Sequence, residues 1–147
     1  MEKKQKWEYK NITEICDIEK AIVGKIYKEG TCYVKLSAVD EFVGQINKPQ
    51  EINNRFAVME PIVPVNHKYL YIIICKAFPE FLHKYRTTIN LQFETLKQLK
   101  VQYHSDREMQ EKTVKLISTI DTEINSVKAE IEGIKKIKKW YTGKMFL

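Results

Sequence analysis

The hydrophobic pattern divides the chain near residue 104: before it, segments with a period of two residues are mixed with helical segments, and after it a single period of 3.5 residues continues. The alternation in TCYVKLSAV predicts a half-buried strand, with one apolar face formed by Cys32, Val34, Leu36 and Ala38. We expect FVGQI to be its hairpin partner, RFAVM to be a third strand and LKVQY to be a fourth. The polar stretches NKPQEINN and GKIYKEG between these segments predict loops.

Helical spacing appears in two segments of the same region. The segment HKYLYIIICKAFPEFLHKYR follows Asn66, whose side chain we expect to cap the helix. Pro79 lies inside this segment and predicts a kink or the start of a second short helix. FETLKQL predicts another short helix. Residues 1–104 therefore predict a small mixed α/β globule.

Residues 105–147 predict one long helix. Ser105 and Glu108 have the spacing of a capping box, and Gly143 is expected to end the helix. Between them, apolar residues recur at the alternating spacings of a coiled-coil seam, namely Ile117, Ile120, Ile124, Val127, Ile131, Ile134 and Tyr141. Such a helix is roughly 55 Å long, whereas a globule of about 100 residues has a radius of gyration of only about 13 Å. We therefore expect the seam to need a partner helix, and packing on its own domain is the alternative.

Composition narrows the class of protein. Apolar residues make up 44% of the chain and charged residues 30%, a balance that favours a folded core over disorder. The net charge of +6 is compatible with nucleic acid or an acidic partner. Three cysteines without a CxxC motif predict reduced thiols. Without a signal peptide or an apolar run long enough for a bilayer, we expect a soluble cytoplasmic protein.

No constellation of residues predicts catalysis. The three histidines, His67, His83 and His104, do not have metal-ligand spacing. The motifs HExxH, GxSxG, the P-loop and GxGxxG are all missing from the sequence. We expect no enzyme activity, no cofactor and no metal.

Two polar stretches predict contacts with DNA. Amide side chains can pair with adenine and arginine with guanine, so GQINKPQEINNRF supplies candidates for base reading: Gln45, Asn47, Asn53, Asn54 and Arg55. Cations and hydroxyls in KYRTTINLQ and in neighbouring loops suit phosphates. The backbone candidates are Lys25, Lys28, Lys48, Lys84, Arg86, Thr87, Thr88 and Asn90. The alternative is that these loops are polar only because they are hydrated.

The region after residue 81 resembles part of the specificity (S) subunit of type I restriction-modification systems. The resemblance rests on TTIN, FETLKQL, LKVQY and the helix IDTEI…IEGIKKIKK…KMF, and upstream on GTCYVKLSAVDEFVGQI and VNHKYLYIII. In that family the last strand is usually followed by a PP-x-x-EQ segment. Here HSDREMQ stands in its place and keeps only Gln110. The family's full-length subunit has two recognition domains and two antiparallel long helices, so this chain resembles a half-subunit.

This resemblance implies an α+β fold, with a target-recognition-type domain at 1–104 and a long helix with a basic tail at 105–147. It implies a non-catalytic half-subunit that reads double-stranded DNA, forms an antiparallel homodimer through the helix and tethers a DNA methyltransferase subunit. One alternative is a degenerate half-subunit that pairs with a full specificity subunit or with the methyltransferase and reads no bases. A further alternative is a free-standing DNA-binding regulator.

Overall fold

The computed structural model describes residues 7–85 and 90–145 and divides the chain into two compact units. The N-terminal unit comprises Met1–Glu111 and the C-terminal unit comprises Lys112–Leu147. The strands are β1 (Glu8–Asn11), β2 (Cys16–Lys20), β3 (Ile26–Tyr27), β4 (Cys32–Lys35), β5 (Val43–Gln45), β6 (Gln50–Glu51), β7 (Phe56–Pro61) and β8 (Lys100–Tyr103). The helices are α1 (His67–Tyr85), α2 (Phe93–Leu96) and α3 (Arg107–Met145). Strands followed by a long helix confirm the predicted α+β class.

A four-stranded antiparallel sheet in the order β2-β7-β4-β5 forms the centre of the N-terminal unit. The alternation predicted for β4 is confirmed, since Cys32 and Val34 are fully buried. The predicted β4–β5 hairpin and the predicted strand β7 are also present. In β7, Ala57, Val58 and Met59 are buried in succession, so both faces of this strand are covered.

Two small ribbons accompany this sheet. The strand predicted at LKVQY is confirmed as β8, and it pairs antiparallel with β1. The pattern of apolar residues did not predict β1, which is exposed over half its length. The ribbon β3–β6 lies in the two stretches that were expected to be loops. Its strands contain two residues each, too few for a period to appear in the sequence.

Helix α1 packs its apolar face against β8 and β5. The predicted cap is confirmed, because Oδ1 of Asn66 accepts a hydrogen bond from the amide of Tyr69 at 3.2 Å. The helix continues through Pro79 to Tyr85, so no second helix starts at the proline. Leu70, Ile74 and Phe78 on this helix are completely buried and form much of the core.

The start of α3 differs from the predicted capping box. The amide of Glu108 donates to Oδ1 of Asp106 at 3.0 Å, so Asp106 caps the helix instead of Ser105. The amide of Asp106 itself donates to Nδ1 of His104 at 3.1 Å. One turn later, the buried Gln110 donates to the carbonyl of His104 at 2.8 Å and accepts from the amide of Asn66 at 2.9 Å. These contacts fix where the helix begins.

The helix does not end at Gly143 as predicted but extends to Met145. Glycine ends a helix when it adopts a positive φ, and among the described residues only Gly24 and Gly30 do so. The seam residues from Ile120 to Tyr141 are 42% to 64% exposed, and Ile117 is half-buried. Within residues 7–85 and 90–145, no helix combines the length and hydrophobicity that a bilayer crossing requires.

Candidate nucleic-acid interface

Three cations converge at one end of the four-stranded sheet. Strand β2 ends at Lys20 and β4 ends at Lys35, while β7 begins just after Arg55. Because these strands are antiparallel neighbours, the register places Lys35 opposite Phe56 and Lys20 opposite Ala57. The last residues of β2 and β4 therefore lie beside the turn that leads into β7.

An open cleft of about 550 Å³ lies at this end of the sheet. Its polar lining comes from four separate parts of the sequence and consists of Lys20, Lys35, Ser37, Asn54, Arg55 and Asn90. The cleft therefore brings together Asn54 and Arg55, which were predicted to read bases, and Asn90, which was predicted to contact the backbone. Within residues 7–85 and 90–145, none of the other predicted DNA-binding residues lines it.

The turn that carries Asn54 and Arg55 is held by its own backbone. Oδ1 of Asn53 accepts from the amide of Arg55 at 2.9 Å, and the carbonyl of Asn53 accepts from the amide of Phe56 at 3.1 Å. The carbonyl of Arg55 accepts from the amide of Leu36 at 3.1 Å, which ties the turn to the end of β4. Asn54 and Arg55 remain exposed on this fixed turn. Their side chains can reach a ligand without reorganisation of the backbone.

The charges in the cleft are only partly compensated. Lys35 forms an ion pair with Asp40, whose amide donates to Oγ of Ser37 at 3.2 Å. Lys20 and Arg55 form no ion pair within the described part of the chain. Their positive charge is available to an anionic ligand, and phosphate groups of nucleic acid have the appropriate charge.

Three of the predicted base-reading residues lie elsewhere or are held by the protein. Gln45 ends β5, and its Nε2 donates to the carbonyl oxygens of His67 at 2.6 Å and of Gly30 at 3.3 Å. This side chain therefore joins the sheet to the start of α1. Asn47 is exposed in the loop after β5, where it does not line the cleft. Asn53 uses its oxygen to hold the turn.

The predicted backbone-contacting residues are dispersed. Lys25 forms an ion pair with Glu19, and the hydrogen bond between them raises the pKa of the lysine. Nζ of Lys28 lies 3.6 Å from Oε1 of Glu60. Lys48 is exposed in the loop after β5. Lys84 lines a different cavity, described below. The remaining three predicted residues, Arg86, Thr87 and Thr88, lie outside the described residues.

Sequence reasoning missed Lys20, Lys35 and Ser37. Lys20 and Lys35 each occupy the last position of a strand, and Ser37 follows two residues after the second strand. Cations at the ends of strands indicate a shared binding site only when the pairing of the strands is known. No such signal is visible in the linear sequence, because residues 20, 35 and 55 lie in three separate segments.

The described residues contain no cluster of three or more His, Cys, Asp or Glu side chains that could hold a metal ion. The three cysteines are free thiols. Burial raises the pKa of Cys16 to about 12 and raises that of Cys32 further. Because the thiolate is the reactive form, these two thiols are unsuited to nucleophilic chemistry near neutral pH.

Comparison with known proteins identifies the fold. No family model and no curated protein matches the sequence. The S subunit of a type I restriction-modification system from M. genitalium is 15% identical, with a TM-score of 0.68 over 90% of this chain and 43% of its own. A chain from a structure on complex assembly and conformational transition of the type I R-M system is 14% identical, with a TM-score of 0.73 over the same shares.

The HsdS subunit from Thermoanaerobacter tengcongensis is 13% identical, with a TM-score of 0.62 over 83% of this chain and 39% of its own. At this level of identity the likeness establishes a shared fold. It confirms the resemblance to S subunits at that level. The chain spans about two fifths of the length of each of these three chains.

Proposed function

We propose that this chain is a DNA-recognition component of a type I restriction-modification system and has no catalytic activity of its own. The observation that carries the proposal is the cleft at the sheet end, where Lys20 and Arg55 lie beside Asn54 and form no ion pair with any other described residue. The same fold occurs in S subunits of such systems. A hydrogen-bonded turn with an exposed arginine and amide, next to cations, suits the binding of a duplex whose backbone is contacted and whose bases are read.

Within the cleft we assign two roles. Arg55 and Asn54 would contact base edges, where arginine pairs with guanine and asparagine with adenine. Lys20, Lys35 and Asn90 would contact the sugar-phosphate backbone and position the domain. Arg86, Thr87 and Thr88 keep their proposed backbone role, because a cation and two hydroxyl groups suit contacts with phosphates.

The long helix has a separate proposed role. The domain at 1–104 would read DNA, whereas the helix in 105–147 would pair antiparallel with the helix of a second copy and tether a methyltransferase subunit. The exposed aliphatic seam supports this, because a heptad stripe is stabilised by a facing helix. Two domains related by a two-fold axis would read a palindromic, interrupted sequence.

A second candidate function is an interaction module that contributes no base readout. The observation in its favour is the same exposed seam, since a helix face of this kind also fits the long helices of a complete specificity subunit. In that case the cations of the cleft would only help to keep the protein soluble. The two functions differ in whether the cleft has any sequence preference.

DNA binding with site selection tests the proposal. A preferred duplex is selected from a random pool, with the methyltransferase subunit present, and affinities are measured by fluorescence anisotropy at several salt concentrations. Arg55→Ala is expected to cost about 1–3 kcal/mol on the selected duplex and little on a scrambled one. Lys20→Gln and Arg86→Ala are expected to weaken both duplexes alike and to flatten the log-log salt slope by about 0.9 each.

Arg107→Ala is the matched control for Arg55→Ala, since Arg107 lies in the first turn of α3 and pairs with Glu111 at 3.6 Å. It is expected to leave both affinities unchanged. If no duplex binds at low salt, or if Arg55→Ala weakens both duplexes equally, base reading by this turn is wrong. The interaction module would then be the better description.

A further inference from the structure

A second cavity, of about 340 Å³, lies between α1 and the β1–β8 ribbon. None of its lining residues belongs to the cleft at the sheet end. Its apolar floor includes Ile73 and Leu99, which are both buried. Its polar and aromatic walls include Tyr9, Lys76, Glu80, Lys84, Tyr85 and Lys100. The volume is near the lower end of the roughly 300–1,000 Å³ typical of small-ligand sites.

The described residues that line this cavity carry a net positive charge. Lys76 donates to Oε1 of Gln102 at 2.6 Å, a neutral partner. Lys76, Lys84 and Lys100 form no ion pair within residues 7–85 and 90–145, although Glu80 lines the same cavity. Other lysines do have carboxylate partners, for example Lys28 with Glu60 and Lys97 with Glu94. The cavity therefore collects three ammonium groups that form no ion pair with any described residue, against one carboxylate in its lining.

Aromatic side chains border the same space. Tyr9 is 74% exposed although it lies in a strand, and it lines the cavity. Tyr85 also lines it and packs against Phe81, with ring centroids 4.7 Å apart. Nζ of Lys84 lies 5.3 Å from the centre of the Tyr85 ring. An aromatic ring beside a lysine offers one surface for a planar ring and a second group for an anion.

We propose that this cavity binds a nucleoside phosphate. The base would stack against Tyr9 or Tyr85 over the apolar floor, and the phosphate would lie among the three lysines. Glu80 and Gln98 provide acceptors for the amino groups of a base, which explains a carboxylate in an otherwise cationic site. The same chemistry is offered by a free mononucleotide and by an unpaired nucleotide in a DNA strand. This site is independent of the duplex cleft proposed above.

Isothermal titration calorimetry on the full chain tests the proposal, with AMP, adenosine, inorganic phosphate and a single-stranded tetranucleotide as separate titrants. AMP is expected to bind more tightly than adenosine or phosphate alone, because only AMP uses both the aromatic and the cationic walls. Tyr9→Ala is expected to weaken AMP at least about fivefold, as loss of one stacking platform does. Tyr9→Phe keeps the ring and should bind as the wild type does.

Lys100→Gln is expected to weaken AMP while leaving adenosine unchanged. Lys68→Gln is the matched control, because Lys68 is exposed on α1 and does not line the cavity. A tetranucleotide that binds at least tenfold more tightly than AMP identifies a DNA strand as the source, and the reverse order identifies a free nucleotide. Arg55→Ala should leave AMP binding intact, so failure of the duplex proposal would not affect this result.

Three outcomes would overturn the proposal. One is that neither AMP nor the tetranucleotide binds at millimolar concentration. Another is that inorganic phosphate binds as tightly as AMP, which would remove the role of the aromatic wall. The third is that Lys100→Gln and Lys68→Gln weaken AMP equally, which would show attraction by net charge instead of a defined site.

Discussion

The aliphatic residues of the N-terminal unit and those of α3 are similar in type and opposite in environment. Val58 and Ile74 are fully or almost fully buried, whereas Ile124 and Ile131 are 44% and 46% exposed. In the N-terminal unit the apolar faces of the sheet and of α1 cover one another within the chain. In α3 the period is that of a coiled coil, which is completed by a second helix. We therefore expect the period, more than the residue type, to decide whether apolar surface stabilises folding or association.

The difference has an energetic consequence. Burying an isoleucine side chain contributes roughly 1.5–3 kcal/mol, and in the N-terminal unit that contribution stabilises the monomer. In α3 the seam is largely exposed, so we expect much of this contribution to be realised only when a partner covers it. Local pairs such as Lys135 with Glu132, at 3.4 Å, contribute only about 0.2–0.5 kcal/mol each. We therefore expect folding and association to be separable by substitution.

The largest expected effect is loss of association in Ile124→Asp. The substitution places an unpaired charge in the middle of the seam, at a cost of several kcal/mol when a partner helix covers it. Light scattering at micromolar concentration should show a dimer for the wild type and a monomer for the variant. Ser126→Asp adds the same charge at an outer position of the heptad and should remain dimeric. A monomeric wild type, or a fully dimeric Ile124→Asp, would remove the seam as the interface.

The next largest effect separates the two environments directly. Ile74→Ala leaves a cavity in the core and is expected to lower the free energy of unfolding of the N-terminal unit by about 2–5 kcal/mol. Ile131→Ala is expected to leave that unfolding unchanged and to raise the dissociation constant of the dimer. Urea denaturation and sedimentation at several protein concentrations measure the two quantities. Equal effects of the two variants on unfolding would mean that the seam is part of the core.

The smallest effect compares one substitution in the two units. Gly30 has a φ of +87°, and a Cβ there would collide with the imidazole ring of His67, so Gly30→Ala is expected to cost more than about 1 kcal/mol. Gly133 has no neighbouring atom near the place of a Cβ, so Gly133→Ala is expected to stabilise α3 by up to about 1 kcal/mol. Circular dichroism melts should show shifts in opposite directions, and shifts of the same sign would contradict this.

The elements predicted correctly are those whose apolar residues repeat at a regular spacing along the sequence. Strand β4 was predictable because Cys32 and Val34 alternate with polar residues, and α3 because of its aliphatic spacing. Strand β2 alternates Cys16 and Ile18 with charged residues, but it was missed because it is only five residues long and rich in Asp, Glu and Lys, which are uncommon in strands. The cap of α3 was placed one residue early, since both Ser105 and Asp106 can cap a helix. The choice depends on His104 and Gln110, which hold the start of the helix through contacts with α1 and the residue before it.

The candidate site was predictable by chemical type but not by location. Asn54 and Arg55 were selected because amides and arginine suit base edges, and the cleft contains both. Lys20 and Lys35 were missed because their proximity to Arg55 arises from the register of three strands. Gln45 was selected for the same chemical reason as Asn54, but the carbonyl of His67 holds its amide. The sequence does not distinguish a polar side chain held by the protein from one that faces solvent.

The register of β2 on β7 also affects the order of folding. The β4–β5 hairpin closes a short loop of chain, whereas the pairing of Cys16 in β2 with Pro61 in β7 closes a much longer one. Closing the longer loop costs more chain entropy, and this cost arises before the contacts between β2 and β7 can offset it. We therefore expect β2 to join the sheet after the hairpin forms. Lys20 is the last residue of β2 and would arrive with it. A partly folded chain would thus present Arg55 and Lys35 without Lys20, and full affinity for an anion in the cleft would be acquired only after β2 has joined the sheet.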